Sequence, residues 1–235
     1  MEKRLKQSLG IDVSKLNLSL SLGFLTDKLE KKFKSHPDVP SDLSGYKELL
    51  KWLNKSVDNS VELLVVMEAT GVYHQGFAHY LHAKGYAVCI MQSGRVKRYA
   101  QSLGQRSKTD ALDSKMLSML GLERSIRPWQ PPSKELQGLK ALSRERSSLL
   151  KDRTTETNRQ RAIDSGVHDS PKALKRHRDR LKLLNGQIEM IEGEMKEIIP
   201  KKEALERKVG FLTSIPGISF ISAATVVGET LGFEP

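Results

Sequence analysis

Ser8-Leu9-Gly10-Ile11-Asp12-Val13 is the stretch that decides the fold. It is a short apolar run that ends on a carboxylate and reads as a buried strand. Just beyond it, Leu16, Leu18, Leu20 and Leu22 alternate with Asn17, Ser19 and Ser21. That period of two predicts a half-buried strand, paired with the first through a short turn. A second apolar run, Leu63-Leu64-Val65-Val66-Met67-Glu68, also ends on an acid. A carboxylate at the end of a buried strand is expensive unless a cation or a hydrogen bond compensates it.

Working outward, residues 28–34 favour a third strand over a helix, and Pro37 to Pro40 is expected to be a loop. Leu49, Leu50, Trp52 and Leu53 give a helix its apolar face. Glu62 to Glu68 is a strand. Ala69-Thr70-Gly71 is a break, and Tyr73 to Lys84 is a helix closed by Gly85. Tyr86 to Met91 is a further buried strand. The order β-β-β-α-β-α-β suits an α/β sandwich of the ribonuclease H-like kind. Sites in such sheets form at the carboxyl ends of parallel strands, where Glu68 lies and Asp12 nearly lies.

Residues 94–127 differ in character. Gly94-Arg95-Val96-Lys97-Arg98-Tyr99 is basic with one aromatic, and Gly104 to Thr109 is expected to be an exposed loop. In Lys108-Thr109-Asp110-Ala111-Leu112-Asp113 two acids stand three apart, and Leu112, Met116, Leu117 and Leu120 continue a helical pattern. Residues three apart share a helix face. Pro128, Pro131 and Pro132 mark a linker. Residues 133–209 then read as two long helices that turn at Gly166 to Pro171. Leu136, Leu139, Leu142, Leu149 and Leu150 stripe the first. Leu181, Leu184, Ile188, Ile191, Met195 and Ile198 give the second a heptad-like stripe. Pro200 ends this antiparallel, coiled-coil hairpin. Phe211 to Ile218 and Ala223 to Val227 resemble a helix-hairpin-helix around Pro216-Gly217, whose N–H groups suit a phosphate.

The 235 residues are 38% hydrophobic and 29% charged, with a formal net charge of +11. The isoelectric point near 9.7 favours nucleic acid or another polyanion as partner. Lys134 to Lys182 holds 14 Lys/Arg against 7 Asp/Glu. Taken alone, such a run is as readily a solvated helix face. The residues expected to meet phosphates are Arg95, Lys97, Arg98, Arg106, Lys108, Arg153, Arg159, Arg161, Lys175 and Arg176. The single Cys89 lies in an apolar strand and reads as a buried thiol. Neither a signal peptide nor a transmembrane stretch is evident, so a cytoplasmic, nucleoid-associated protein is expected.

Asp12, Glu68, Asp110 and Asp113 together suggest a divalent-metal site. Mg²⁺ takes oxygen ligands and keeps waters, and two such ions roughly 4 Å apart stabilise both oxygens of a phosphoryl displacement. Each acid also has a plain structural reading. Asp12 caps a turn, Glu68 pairs with Lys or Arg, and Asp110 is a helix N-cap.

The motifs Gly10-Ile11-Asp12-Val13-Ser14-Lys15, Met67-Glu68-Ala69-Thr70-Gly71-Val72-Tyr73 and Lys108 to Asp113, in that order, resemble the Piv/MooV-type transposases and DNA invertases, the DEDD recombinases of insertion sequences. Ser214-Ile215-Pro216-Gly217-Ile218 resembles the start of that family's C-terminal domain. The resemblance implies a RuvC-like domain over 1–127 in which Asp12, Glu68, Asp110 and Asp113 bind Mg²⁺. It implies a coiled-coil hairpin over 128–209 and the beginning of a transposase domain over 210–235. It further implies DNA and a guide (bridge) RNA as partners, and a homodimer or homotetramer joined through the coiled coil. The family's serine nucleophile lies beyond the Pro-Gly motif, and Ser214, Ser219 and Ser222 do not match its setting. This chain is therefore expected to bind nucleic acid without recombining it, and its last 25 or so residues are expected to pack poorly or to be held by another subunit. The alternatives are a RuvC-like nuclease that uses water and a non-catalytic nucleic-acid-binding regulator.

Overall fold

A computed structural model describes residues 2–69, 71–104, 109–166 and 170–233. The chain divides into two compact units, Met1–Pro131 and Pro132–Pro235.

The first unit is mixed α/β. Strands β1 (Arg4–Val13), β2 (Asn17–Thr26) and β3 (Lys31–Pro40) are followed by helix α1 (Leu43–Ser56), β4 (Leu63–Glu68), α2 (Tyr73–Ala83), β5 (Ala87–Met91), α3 (Ser93–Ser102) and α4 (Asp110–Glu123). The five-stranded sheet has the order β3-β2-β1-β4-β5. β1 is antiparallel to β2 and parallel to β4, and β4 is parallel to β5. The expected order of strands and helices is therefore present.

The alternation of β1 divides the unit into two layers. Leu9, Ile11 and Val13, with Leu18, Leu20 and Leu22 of β2, pack on Leu49 and Leu53 of α1 and on Phe77, Ala78 and Leu81 of α2. On the opposite face, Val66 and Cys89 pack with Val96 and Tyr99 of α3 and Met116, Leu117 and Leu120 of α4. Small residues let α4 sit close. A methyl added at Gly10 would stand 1.9 Å from the Ser114 carbonyl oxygen, and one at Gly121 would stand 2.1 Å from Ser8 Oγ. Ser118 Oγ donates to the Ser8 carbonyl at 2.8 Å.

Three local expectations are corrected here. Pro37 and Pro40 lie within β3 rather than in a loop. β3 is an edge strand, where the N–H that proline lacks is not needed by a neighbour. Residues 93–102, read only as a basic zone, form helix α3. The N-cap of α4 is Thr109, whose side chain accepts from Leu112 N, so Asp110 is not the cap. The expected loop at Gly104 to Thr109 and turn at Gly166 to Pro171 lie largely outside the described residues.

The second unit is helical: α5 (Lys134–Asp164), α6 (Pro171–Ile198), α7 (Glu203–Thr213) and α8 (Phe220–Glu229). α5 and α6 run antiparallel, with Arg146 Nε donating to Glu192 at 2.7 Å and Glu156 meeting His177 and Arg180. α6 ends at Ile198, and the residues after Pro200 start the separate helix α7 rather than prolonging the hairpin. Leu136, Leu139, Ile191, Met195, Leu205, Val209, Ala223, Ala224 and Val227 form one core. The expectation for the residues beyond 210 is met only in part: the small residues of α8 seat it against α5, with Ala223, Ala224 and Val227 fully buried, while Phe211, Ile215, Phe220 and Val226 stay exposed. Among the described residues no helix is long and apolar enough to cross a membrane.

Candidate functional site

Side-chain alternation fixes where the strand-end acids face. Ser8 and Gly10 of β1 lie under α4, and Asp12 follows them on the same side with period two. On β4, Val66 meets Gly121 of α4, and Glu68 is again two residues on. Ile11 pairs with Met67 in the parallel ladder, so Asp12 and Glu68 follow as neighbours at the carboxyl ends of adjacent strands.

The direction of α4 completes the corner. Gly121 lies over Ser8, while Ser114 and Ser118 lie over Gly10, so α4 runs antiparallel to β1. Two strand residues advance about 6.6 Å, and four to five helix residues advance about the same. One more such step carries β1 to Asp12 and α4 to its first turn, which holds Asp110 and Asp113. Both acids lie one turn before the sheet-facing residues Ser114 and Leu117. Asp12, Glu68 and Asp113 are half-buried, and Asp110 is exposed. Asp12, Glu68 and Asp113 each engage a partner. Acids in the first turn of a helix are favoured by its macrodipole, so the position of Asp110 and Asp113 is cheap to maintain.

The donors at this corner are all carboxylate oxygens, the ligand type that Mg²⁺ selects. Among the described residues, however, no three His, Cys, Asp or Glu side chains are already gathered as a metal-holding cluster. The acids share a corner and a face without closing around a point.

The far end of α4 is tied down by polar contacts. Glu123 accepts from Tyr99 Oη at 2.8 Å and pairs with Lys31. The Lys31 ammonium holds the Glu123 carboxyl below the usual range, and burial with the Glu123 contact raises the Tyr99 phenol. Cys89 is fully buried, and desolvation pushes its thiol up to about 11.

The expected phosphate contacts are spread over both units. Arg95, Lys97 and Arg98 are exposed on α3, whose buried face is Val96 and Tyr99. Arg159 and Arg161 are exposed on α5, where Arg153 is half-buried, and Lys175 and Arg176 are exposed on α6. Arg106 and Lys108 lie outside the described residues. Sequence reasoning missed Glu156, His177 and Arg180, which form a polar cluster between α5 and α6. Their signal in the sequence is slight: Glu156 is one of several acids in a net-basic helix.

Comparison with known proteins adds three findings. The IS110-type DEDD transposase family, described as "Transposase", matches residues 9–166. The chain is 28% identical over 174 residues to the pilin gene-inverting protein of Moraxella bovis, covering 74% of this chain and 52% of that protein. It is 28% identical over 193 residues to the pilin gene-inverting protein of Moraxella lacunata, covering 81% of this chain and 58% of that one. The chain thus spans little more than half the length of these curated relatives. Among solved structures, RuvC of T. thermophilus in complex with a Holliday junction substrate aligns with TM-score 0.39 and 12% identity, over 53% of this chain and 99% of that one.

Proposed function

Since the chain belongs to the IS110-type DEDD transposase family, we propose that it is part of a DNA recombinase of an insertion sequence, with Mg²⁺-dependent phosphodiester chemistry at the corner of Asp12, Glu68, Asp110 and Asp113. In this reading the first unit is a RuvC-like, ribonuclease H-like catalytic domain. The α5–α6 hairpin is a coiled coil that joins two or four copies, and α7–α8 opens the C-terminal domain. DNA and a guide RNA are held through phosphates by Arg95, Lys97, Arg98, Arg153, Arg159, Arg161, Lys175 and Arg176, together with Arg106 and Lys108.

The observation that supports the reading is the antiparallel seat of α4 on β1, which directs its acidic first turn toward the end of β1 that carries Asp12. The backbone positions of Asp12 and Glu68 are set by the sheet, and those of Asp110 and Asp113 by α4. When bound, Mg²⁺ would neutralise phosphate charge and activate the attacking oxygen. The residues supply the oxygen ligands and a rigid apolar floor of Val66, Leu117 and Leu120 beneath them.

The test is Mg²⁺-dependent nicking of supercoiled DNA by the purified chain, with and without guide RNA. Asp12→Asn and Glu68→Gln should each lower the rate at least 100-fold while DNA binding persists. A parent that nicks, with Asp12→Asn and Glu68→Gln nicking at the same rate, would remove these acids from the chemistry.

A further inference from the structure

Glu156 is a carboxylate placed inside the more basic half of the α5–α6 hairpin. The residue is 4% exposed, between α5 and α6. Its Oε1 accepts from His177 Nδ1 and from Arg180 Nε, and its Oε2 stands 3.5 Å from Arg159 Nη1. Arg180 Nη2 also lies 2.8 Å from His177 Nδ1, but with the Nδ1 proton given to Glu156 this contact adds proximity and no hydrogen bond. A carboxylate between two helices is costly unless it is paired, and a well-packed apolar residue often serves stability as well as the pair does. Exposed ion pairs add little. Stability alone therefore does not account for an acid held here by three cationic or polar groups from two helices.

The outward parts of the cluster are what remain available. The side chains of Arg159 and Arg180 are 66% and 49% exposed. Glu156 takes the Nε of Arg180 and leaves outward guanidinium donors free to meet another oxygen. Arginine is flexible, and fixing it beforehand removes part of the entropic cost of binding.

Charge along the hairpin is segregated. Residues 151–164 and 171–182, the half around Glu156, carry ten Lys/Arg against four Asp/Glu. Residues 134–150 and 187–198, the other half, carry five against six. An extended basic arm suits a row of phosphates rather than one small anion.

We infer that Glu156 is a positioning residue that locks Arg159 and Arg180 into a preformed clamp for the phosphate backbone of a polynucleotide on the distal half of the hairpin. This rests on the nucleic-acid-binding reading above and assigns it a place and an organiser. Glu156→Gln makes a useful test because it removes a negative charge and so makes the arm more basic. Simple charge counting then expects tighter binding, whereas loss of the clamp expects weaker binding.

The experiment measures fluorescence anisotropy of the full chain with a labelled DNA duplex and, separately, an RNA duplex of the same sequence, between about 50 and 200 mM salt. Glu156→Gln should bind more weakly than the parent, and its log–log salt slope should be shallower by about two, one for each phosphate that is no longer neutralised. Over that fourfold salt range, the slope change corresponds to roughly a tenfold smaller loss of affinity. Arg180→Ala should be shallower by about one, and Lys134→Ala and Lys140→Ala, in the other half, should keep the parental slope. Binding by Glu156→Gln that equals or exceeds the parent, with the same slope, overturns the inference. If Glu156→Gln loses helix by circular dichroism, Arg180→Ala decides, and an unchanged slope there overturns it. A parent that binds neither nucleic acid defeats the functional reading itself; a parent that binds while the variants match it defeats only the clamp. The duplex on which the slope changes identifies the occupant as DNA or RNA.

Discussion

Gly10→Ala tests whether the close seat of α4 is what holds the acidic turn at the strand ends. The added methyl would stand 1.9 Å from Ser114 O, 2.3 Å from Ser118 N and 3.0 Å from the Leu117 carbonyl carbon. These are backbone atoms, so rotating a side chain gives no relief. Ordinary contact begins near 3.4 Å, so α4 must withdraw by about 1.5 Å. The withdrawal loosens Met116, Leu117 and Leu120 from the sheet and stretches the Ser118–Ser8 hydrogen bond. Overpacking of this kind costs about 1–3 kcal/mol, and the hydrogen bond adds about 1 kcal/mol. The reduced freedom of the unfolded chain returns roughly 0.4–1 kcal/mol. A net loss of about 2–3 kcal/mol should lower Tm by on the order of 10 °C, read by circular dichroism or differential scanning fluorimetry. Gly76→Ala is the control, since it lies in α2 with nothing within 4 Å of the new methyl. It should gain about 0.5–1 kcal/mol. A Gly10→Ala protein that melts within about 2 °C of the parent would refute the argument that α4 is seated by contact at this glycine.

Other perturbations probe the rest of the fold. Met195 is fully buried in the helical core, and Met195→Ala should destabilise that unit by about 2–5 kcal/mol in a urea titration followed by far-ultraviolet dichroism; a smaller loss would mean that the core is loosely packed. The Cys89 thiol is held up to about 11 against 9.0. At pH 8 the folded protein should therefore react with a disulfide reagent roughly 100-fold more slowly than the unfolded chain on thiolate fraction alone, and equal rates would place Cys89 outside the core. The same shift means that folding favours the protonated thiol. Its stability contribution is present below pH 9.0 and is lost as pH rises toward about 11. Glu123 has the opposite sign: Lys31 lowers its carboxyl, so its contribution is present above its ordinary value of 4.5 and is lost as pH falls. Glu123→Gln should flatten that acid-side loss in melting curves taken from about pH 6 down to 3, and an identical profile would remove the Lys31–Glu123 pair from the account.

Much of the first unit is legible from periodicity. The leucine alternation of β2 and the apolar runs of β1 and β4 leave little freedom about which faces are buried, and the end of each run puts Asp12 and Glu68 at the carboxyl ends of two interior strands. Only the first half of β3 is legible, because Pro37 and Pro40 look like loop residues until the strand is known to lie at an edge. α3 is masked by composition: in a basic segment only Val96 and Tyr99 point inward. The meeting of α4 with β1 depends on Gly10, Ser114 and Gly121, whose smallness matters only once the helix lies across the strand. The Glu156 cluster is invisible for a similar reason. Residues 156, 177 and 180 become neighbours only when α5 and α6 run antiparallel in one register. The packing of α8 on α5 rests on alanines, which carry little hydrophobic signal yet permit close approach.

The central claim, that Asp12, Glu68, Asp110 and Asp113 act together as ligands, is tested most directly by titrating the chain with Mg²⁺ in a calorimeter. The parent and the single variants Asp12→Asn, Glu68→Gln, Asp110→Asn and Asp113→Asn should be compared at one pH and ionic strength. The parent should bind Mg²⁺ saturably, and each variant should lose at least about tenfold in affinity, as expected when one oxygen ligand leaves a shared site. Parental Mg²⁺ affinity in all four variants would contradict the claim.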